Sequence, residues 1–543
     1  MIPSWLFRIE LRRFLAACRN PLIPQTAQLR RILRAAAWSD IGVHCDFARI
    51  SRIRDPHALI GAFQQAVPVR TYKQMHAELD AVYAGRWQTL CPSAPLWFAM
   101  TAGSTGSFKY IPVTPEYRRE VNRSAMIFNG ALEDRFPELR GLKTQFLVGS
   151  AEGGCSPAGV PQGFASGFNY KNLPRLVRRR FVAPYWIFTL DDPEERAYAA
   201  GRVLMSEPML GALSAISPVN LINLRAALDR NASRLIADVA AGRLTTLGSA
   251  AVRGSWSCQS DARRARALEA AFEATGALPS EQLFPGLRVL ISWQGGNMSY
   301  YLDELRAAFG IGQTFEFPIS ASEGVFAIPL HPNRPGGALA ITTHFLEFLP
   351  ESGGAVCRAD ELEIGREYRI VVTNGGGLYR YDMEDIVRVT AVVHATPVIE
   401  FVSKKDRQIS VSNERLTELD VTRAMQEASR DCARRFPEFL FVPCSDRCYR
   451  VVVDGAACRG EDLTPLAQSI ERELRLAAKG YDFEREDALL APLQLIITER
   501  GQLRDWLARR EQHVLPNAQI KPLHLTNEFD AHAAFTTVAT YAA

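Results

Sequence analysis

Thr101-Ala102-Gly103-Ser104-Thr105-Gly106-Ser107-Phe108-Lys109 lies between the apolar runs Trp97-Phe98-Ala99-Met100 and Ile111-Pro112-Val113. Small and hydroxylated residues follow a run of strand character, and a Lys closes the loop. Glycine lets a backbone approach a ligand closely, while main-chain N–H groups and Ser or Thr hydroxyls are the usual donors to phosphate oxygens. A polar turn between two strands accounts for the same residues equally well. The loop is no Walker A motif, because no Gly-Lys-Ser/Thr ending stands at the required spacing. What the loop does therefore depends on whether the rest of the chain supplies the other needs of a nucleotide.

Outward from the loop, the totals set bounds. A chain of 543 residues exceeds the usual single domain and calls for a large body with at least one smaller unit. An apolar content of 47% is enough for substantial cores. The 63 basic and 59 acidic residues nearly cancel to +4, which gives no electrostatic case for nucleic acid or a polybasic membrane contact. Ten scattered Cys are no disulfide framework, and Cys444-x3-Cys448, with no His close in sequence, reads as a pair of ordinary buried thiols. Arg8, Arg12, Arg13 and Arg19 interrupt the apolar residues of the N-terminal stretch, and no run approaches a membrane span; the expectation is a cytoplasmic protein.

Residues up to about Ala94 read as helical, with Leu29, Ile32 and Leu33, then Leu59, Phe63 and Val67, at helical spacing. A helix is expected from Pro115 to about Phe128, a strand at Thr144–Ser150 and a Gly-rich loop at Gly153–Gly167. Helices are expected over Glu194–Leu247, with a start at Ser217-Pro218, and from Ser260 or Asp261 to a stop at Gly276. Strands follow at Leu287–Trp293, Ala338–Phe345, Tyr368–Thr373 and Asp385–Val393, by β-branched content. After about Ser403 the pattern restarts as a compact α+β unit.

Four further stretches carry polar groups suited to chemistry. Ile319-Ser320-Ala321-Ser322-Glu323-Gly324 places small residues and a carboxylate just after a stretch of strand character; the Glu could hold magnesium, or the stretch is an exposed strand-end loop. In Tyr379-Arg380-Tyr381-Asp382-Met383-Glu384-Asp385, the last Asp precedes a β-branched run, where a sheet edge could present it to ribose hydroxyls; a strand-entry turn fits as well. Phe401-Val402-Ser403-Lys404-Lys405-Asp406 reads as a hinge or linker, and Lys521-Pro522 as a surface Lys. No Ser/His/Asp set and no G-x-S-x-G elbow stands out.

The order of these stretches resembles the GH3 family of acyl-acid amido synthetases, a branch of the adenylate-forming enzymes. Val67-Pro68-Val69-Arg70-Thr71-Tyr72, Gly159-Val160-Pro161-Gln162-Gly163, Trp293-Gln294-Gly295-Gly296 and His344-Phe345-Leu346-Glu347-Phe348-Leu349-Pro350 extend the resemblance over most of the chain. It implies an α/β fold, with a large N-terminal domain (1–402) and a smaller mobile C-terminal α+β domain (403–543). It implies ATP and Mg2+, a carboxylic acid activated as its acyl-adenylate, and transfer to an amine, in the family usually an amino acid. Ser104, Thr105, Gly106 and Lys109 would cradle phosphates. Ser320, Ala321, Ser322 and Glu323 would line the adenine and magnesium side. Asp385 would hold the ribose, Lys404 would sit at the hinge, and Lys521 would reach in during adenylation. Ile319 stands where the family usually has Tyr, and Ser403-Lys404 where it has Gly-Arg. Lys109, Glu323, Asp385 and Lys521, the charges the chemistry demands, are all present. The expected partners are small molecules, with no nucleic acid and no membrane, and the expected state is a monomer. Two alternatives stay open: delivery of the acyl group to a thiol of coenzyme A or a carrier protein, and a GH3-like binding protein without turnover.

Overall fold

The computed structural model describes residues 4–102, 108–245, 256–405, 408–458, 461–512 and 522–543. The helical start is present as Ser4–Ala17, Leu22–Ala35, Pro56–Ala66 and Tyr72–Tyr83, with two short helices between. Asp55 caps the third of these, accepting from Ala58 N at 2.7 Å, and Pro56 occupies the first turn, where its missing N–H costs nothing. Leu29, Ile32, Leu33, Leu59 and Phe63 turn one apolar stripe inward, onto Phe345 and Tyr379.

Trp97–Ala102 and Phe108–Val113 form an antiparallel hairpin with Thr101 opposite Lys109. The strand reading of both flanks therefore holds. A third, parallel partner is Gln162–Gly163, inside the expected Gly-rich loop. A Cβ on Gly163 would stand 2.2 Å from the carbonyl oxygen of Ala151, so the close approach of these two segments requires glycine there.

A four-stranded parallel sheet runs in the order Lys143–Phe146, Leu210–Ser214, Val289–Ser292, Thr314–Glu316. Helices Pro193–Met205, Pro218–Arg230 and Leu302–Phe309 lie on its connections, as parallel pairing demands. Helices do dominate Glu194–Leu247 as expected, but the strand Leu210–Ser214 lies among them. All five of its residues are buried between two partner strands, and pairing overrides the helix-compatible composition of Leu-Gly-Ala-Leu-Ser. Ser217 does cap the helix that follows, accepting from Val219 N at 3.3 Å.

The large sheet has eight strands, all antiparallel, in the order Cys357–Arg358, Phe345–Pro350, Glu367–Thr373, Tyr381–Val393, Thr396–Lys404, Gly337–Leu339, Gly324–Ile328, Ile319–Ala321. The expected single strand over Ala338–Phe345 is two strands joined by a buried turn. Gln25 explains the break: its amide donates to the carbonyls of Ile341 and His344 and accepts from Leu346 N, while Gln28 donates to Thr342 O. A helix side chain thus satisfies the backbone groups that a continuous strand would have paired.

After Lys404 the strand order restarts. Phe439–Cys444, Cys448–Val453, Gln494–Thr498 and Thr537–Ala542 make a four-stranded sheet covered by helices Glu418–Asp431 and Thr464–Ala477. The last of these strands was not foreseen from the sequence. Tyr300 and Tyr301 of the larger body join this unit's core, and Tyr301 Oη lies 2.8 Å from His524 Nε2.

Candidate active site

Ile319–Ala321 and Gly324–Ile328 are adjacent antiparallel strands, so Ser322 and Glu323 occupy the tight turn between them. The turn is held from below by main-chain contacts. Tyr117 Oη donates to Ser322 O at 2.8 Å, and Asn374 Nδ2 donates to Glu323 O at 2.7 Å. Tyr117 stands in the first turn of helix Pro115–Arg135, where Thr114 accepts from its N–H and donates to Gly375 O at 2.6 Å. His344 lies parallel to the Tyr117 ring at 5.7 Å. Its Nε2 accepts from Val325 N at 3.1 Å, which leaves the proton on Nδ1 to face Glu120 Oε2 at 2.8 Å. Glu120 also accepts from Gly375 N and from Arg31.

This support fixes where the Glu323 carboxylate goes. The residue is 5% exposed. Burial raises its carboxyl above the ordinary value, Lys404 and Lys109 pull it back down, and Asp385 adds to the rise. Tyr381 Oη stands 3.5 Å from Glu323 Oε1, a long contact. Three charges read from widely separated stretches of sequence, Lys109, Asp385 and Lys404, therefore act on the Glu323 carboxylate.

Asp385 is not at a strand entry or a sheet edge. It lies inside the 13-residue strand Tyr381–Val393, which is flanked on both sides, with Lys404 as its register partner on the next strand. Asp385 Oδ1 and Lys404 Nζ are 2.9 Å apart, the Asp buried and the Lys half-exposed. Lys109 Nζ lies 5.1 Å from the centre of the Tyr72 ring, a cation–π distance. Ser320 donates to Pro318 O at 3.1 Å, Ala321 is exposed, and Ile319 packs into the main core. Ser104, Thr105, Gly106 and Lys521 lie outside the described residues.

The stretches singled out without an assigned role prove to be the frame. Arg70 N donates to Arg380 O, and Asp382 N donates to Arg70 O, which ties Val67–Tyr72 to the start of the strand that carries Asp385. The buried Arg380 guanidinium pairs with Glu347 at 2.9 Å and donates to Val67 O at 2.8 Å. Tyr83 Oη donates to Gln162 Oε1 at 2.6 Å, and its ring stacks on Tyr110 beside the Lys109 strand. Tyr117, Glu120, His344 and Asn374 were not read as site residues; His344 alone had been quoted, within a longer segment.

Residues 10–313 match the model of the GH3 family N-terminal domain, and residues 337–404 match that of the GH3 family central domain. The chain belongs to the GH3 family. The central-domain match covers Glu347, Arg380, Asp385 and Lys404, and the N-terminal match covers Lys109, Tyr117 and Glu120. Among curated GH3 proteins, an indole-3-acetic acid-amido synthetase GH3.2 of Arabidopsis thaliana is 24% identical over 409 residues, covering 68% of this chain and 72% of the relative. A jasmonoyl–L-amino acid synthetase JAR4 of Nicotiana attenuata is 21% identical, covering 68% of each. The GH3 fold extends beyond those spans. The solved structure of the AtGH3.15 acyl acid amido synthetase in complex with 2,4-DB superposes with a TM-score of 0.83 over 98% of this chain and 97% of that one, at 16% identity.

Proposed function

We propose that this chain is an ATP-dependent acyl-acid amido synthetase, which activates a carboxylic acid as its acyl-adenylate, releases pyrophosphate and transfers the acyl group to an amine, an amino acid in the first instance. The observation that carries the reading is that Lys109, Asp385 and Lys404 all act on the buried Glu323 carboxylate, with Asp385 and Lys404 themselves paired. The names of the relatives, which are amido synthetases for an acyl acid and an amino acid, support the same reading.

In this reading the loop 103–107 and Lys109 hold the phosphates, and Asp385 accepts from the ribose hydroxyls, with Lys404 moving off it as the nucleotide arrives. Glu323 is suited to a magnesium ion: its carboxylate is desolvated, and magnesium is commonly held by one or two carboxylates together with substrate phosphates. Bound there, the ion neutralises charge that builds on the phosphates. Tyr117 and Asn374 fix the main chain of the Ser322–Glu323 turn, so the carboxylate needs no reorganisation when charge develops. Lys521 adds a second positive charge during adenylation. Rotation of residues 403–543 about Lys404 then withdraws it and opens a path for the amine, so that one site serves both half-reactions.

The test is acid-dependent exchange of labelled pyrophosphate into ATP over a panel of aromatic, indolic and aliphatic acids. No exchange with any of them rejects adenylation. Product mass after adding amino acids or coenzyme A then separates an amide from a thioester.

A further inference from the structure

The Cys444–Cys448 pair, read from sequence as ordinary thiols for want of a nearby His, acquires one in the fold. Cys444 and Cys448 face each other at the closed end of the hairpin Phe439–Cys444/Cys448–Val453, and both are buried. The chain after Pro522 returns along this hairpin. Phe441 N donates to His524 O, Thr526 N to Phe441 O and Asp530 N to Pro443 O. Ser445 N donates to Asp530 Oδ1 at 3.2 Å, which seats Asp530 on the hairpin turn. His532, two residues on, brings its Nδ1 to 3.6 Å from Cys444 Sγ.

Ligand atoms of Cys444, Asp446 and Cys448 all lie within 4.8 Å of one another, and so do those of Cys444, Asp530 and His532. With zinc–sulfur bonds of about 2.3 Å and zinc–nitrogen bonds of about 2.0 Å, a sulfur and a nitrogen on one tetrahedral ion stand roughly 3.5 Å apart. That matches the Cys444–His532 separation. Asp446 accepts from Arg450 and from the Cys448 thiol, whereas among the described residues the Asp530 carboxylate accepts from the Ser445 N–H and hydroxyl, and it already lies beside Cys444 and His532.

We propose that Cys444, Asp530 and His532, whose ligand atoms already lie together, form with Cys448, turned in from Asp446 as the fourth ligand, a binding site for a zinc-type divalent cation, which staples the returning C-terminal segment to the hairpin. Two sulfurs, an imidazole and a carboxylate are the donors of a borderline-soft ion and unsuited to magnesium, so the site is chemically distinct from the one at Glu323.

The experiment uses the full chain, purified under reductant, stripped with a chelator and titrated with Zn2+ against a chromophoric competitor, with Co2+ as the spectroscopic probe. One equivalent of tight zinc and a thiolate-to-cobalt charge-transfer band are expected. His532→Ala and Asp530→Ala, both at half-buried positions, should keep the wild-type circular dichroism and weaken zinc by at least about tenfold, the low end of what even an outer-shell change costs. Cys444→Ser should lose the band. The proposal is overturned if the wild-type chain shows no band, if zinc binds the His532→Ala chain as tightly as the wild type, or if alkylation and mass measurement find Cys444 and Cys448 joined as a disulfide under reductant.

Discussion

Asp385 Oδ1 and Lys404 Nζ are 2.9 Å apart, on facing positions of two adjacent antiparallel strands. This ion pair joins the residue assigned to the ribose to the residue at which the large sheet ends. A nucleotide that takes up Asp385 must share it with Lys404 or displace Lys404. On the proposed ribose role of Asp385, Lys404 would respond to nucleotide at the point where the strand order restarts.

Asp385→Ala should weaken ATP binding by about 10- to 100-fold, since a hydrogen bond to a charged acceptor contributes about 1.5–3 kcal/mol. Acid binding should be little affected. Calorimetric titration of each ligand separates the two, and unchanged ATP affinity would reject the ribose assignment.

Glu323 gives opposite effects on stability and activity. Its carboxyl lies above the ordinary value in the fold, so the native state binds this proton more tightly than the unfolded chain does. The associated stabilisation is present below the ordinary Glu value and is lost as pH rises through the raised one. Above that raised value the ionised, desolvated carboxylate costs stability. Glu323→Gln should accordingly raise the thermal midpoint at alkaline pH and leave it unchanged at low pH, while the Mg2+ concentration needed for exchange rises by roughly tenfold or more. A lower midpoint at alkaline pH, or unaltered Mg2+ dependence, would contradict one half of this argument each.

Tyr117 acts on the same turn through main chain alone. Tyr117→Phe keeps the ring against His344 and removes only the bond to Ser322 O. A loss of about 1 kcal/mol in denaturant unfolding is expected, the usual net worth of such a bond. If the turn positions Glu323, kcat/KM for ATP should fall by about fivefold while KM for the acid stays put. Loss of stability with unaltered ATP kinetics would restrict Tyr117 to folding.

How much of this was legible depended on the range over which each residue acts. The amphipathic helices, the start at Ser217-Pro218 and the two strands that flank residues 103–107 follow from local spacing and were readable. Lys109, Glu323, Asp385 and Lys404 were singled out through the family resemblance of the stretches that carry them, since each stretch by itself reads equally well as a turn or linker, and their ligand roles are proposals. Tyr117 was not: it works through one hydroxyl on a carbonyl 205 positions away, and nothing near it in the sequence registers that contact. The split at residues 340–344 was equally hidden, since its cause is Gln25 on a distant helix. The His532–Cys444 approach spans 88 positions and appears only when the last segment folds back.

Lys521 lies outside the described residues. The chain that follows it is anchored: Pro522 O accepts from Asn297 Nδ2 at 3.3 Å, and His524 meets Tyr301 in the segment after Trp293-Gln294-Gly295-Gly296. Losing one positioned charge from a phosphoryl-transfer transition state typically costs about 3–4 kcal/mol, so Lys521→Ala should slow pyrophosphate exchange by about 10²- to 10³-fold. The second half-reaction, attack of the amine on acyl-adenylate, does not build charge on a transferring phosphoryl group. Given presynthesised acyl-adenylate and an amino acid, the variant should form amide at close to the wild-type rate. Equal loss in both assays would mean that the residue holds the C-terminal unit in place and has no role specific to adenylation; loss in exchange alone ties its charge to the first step.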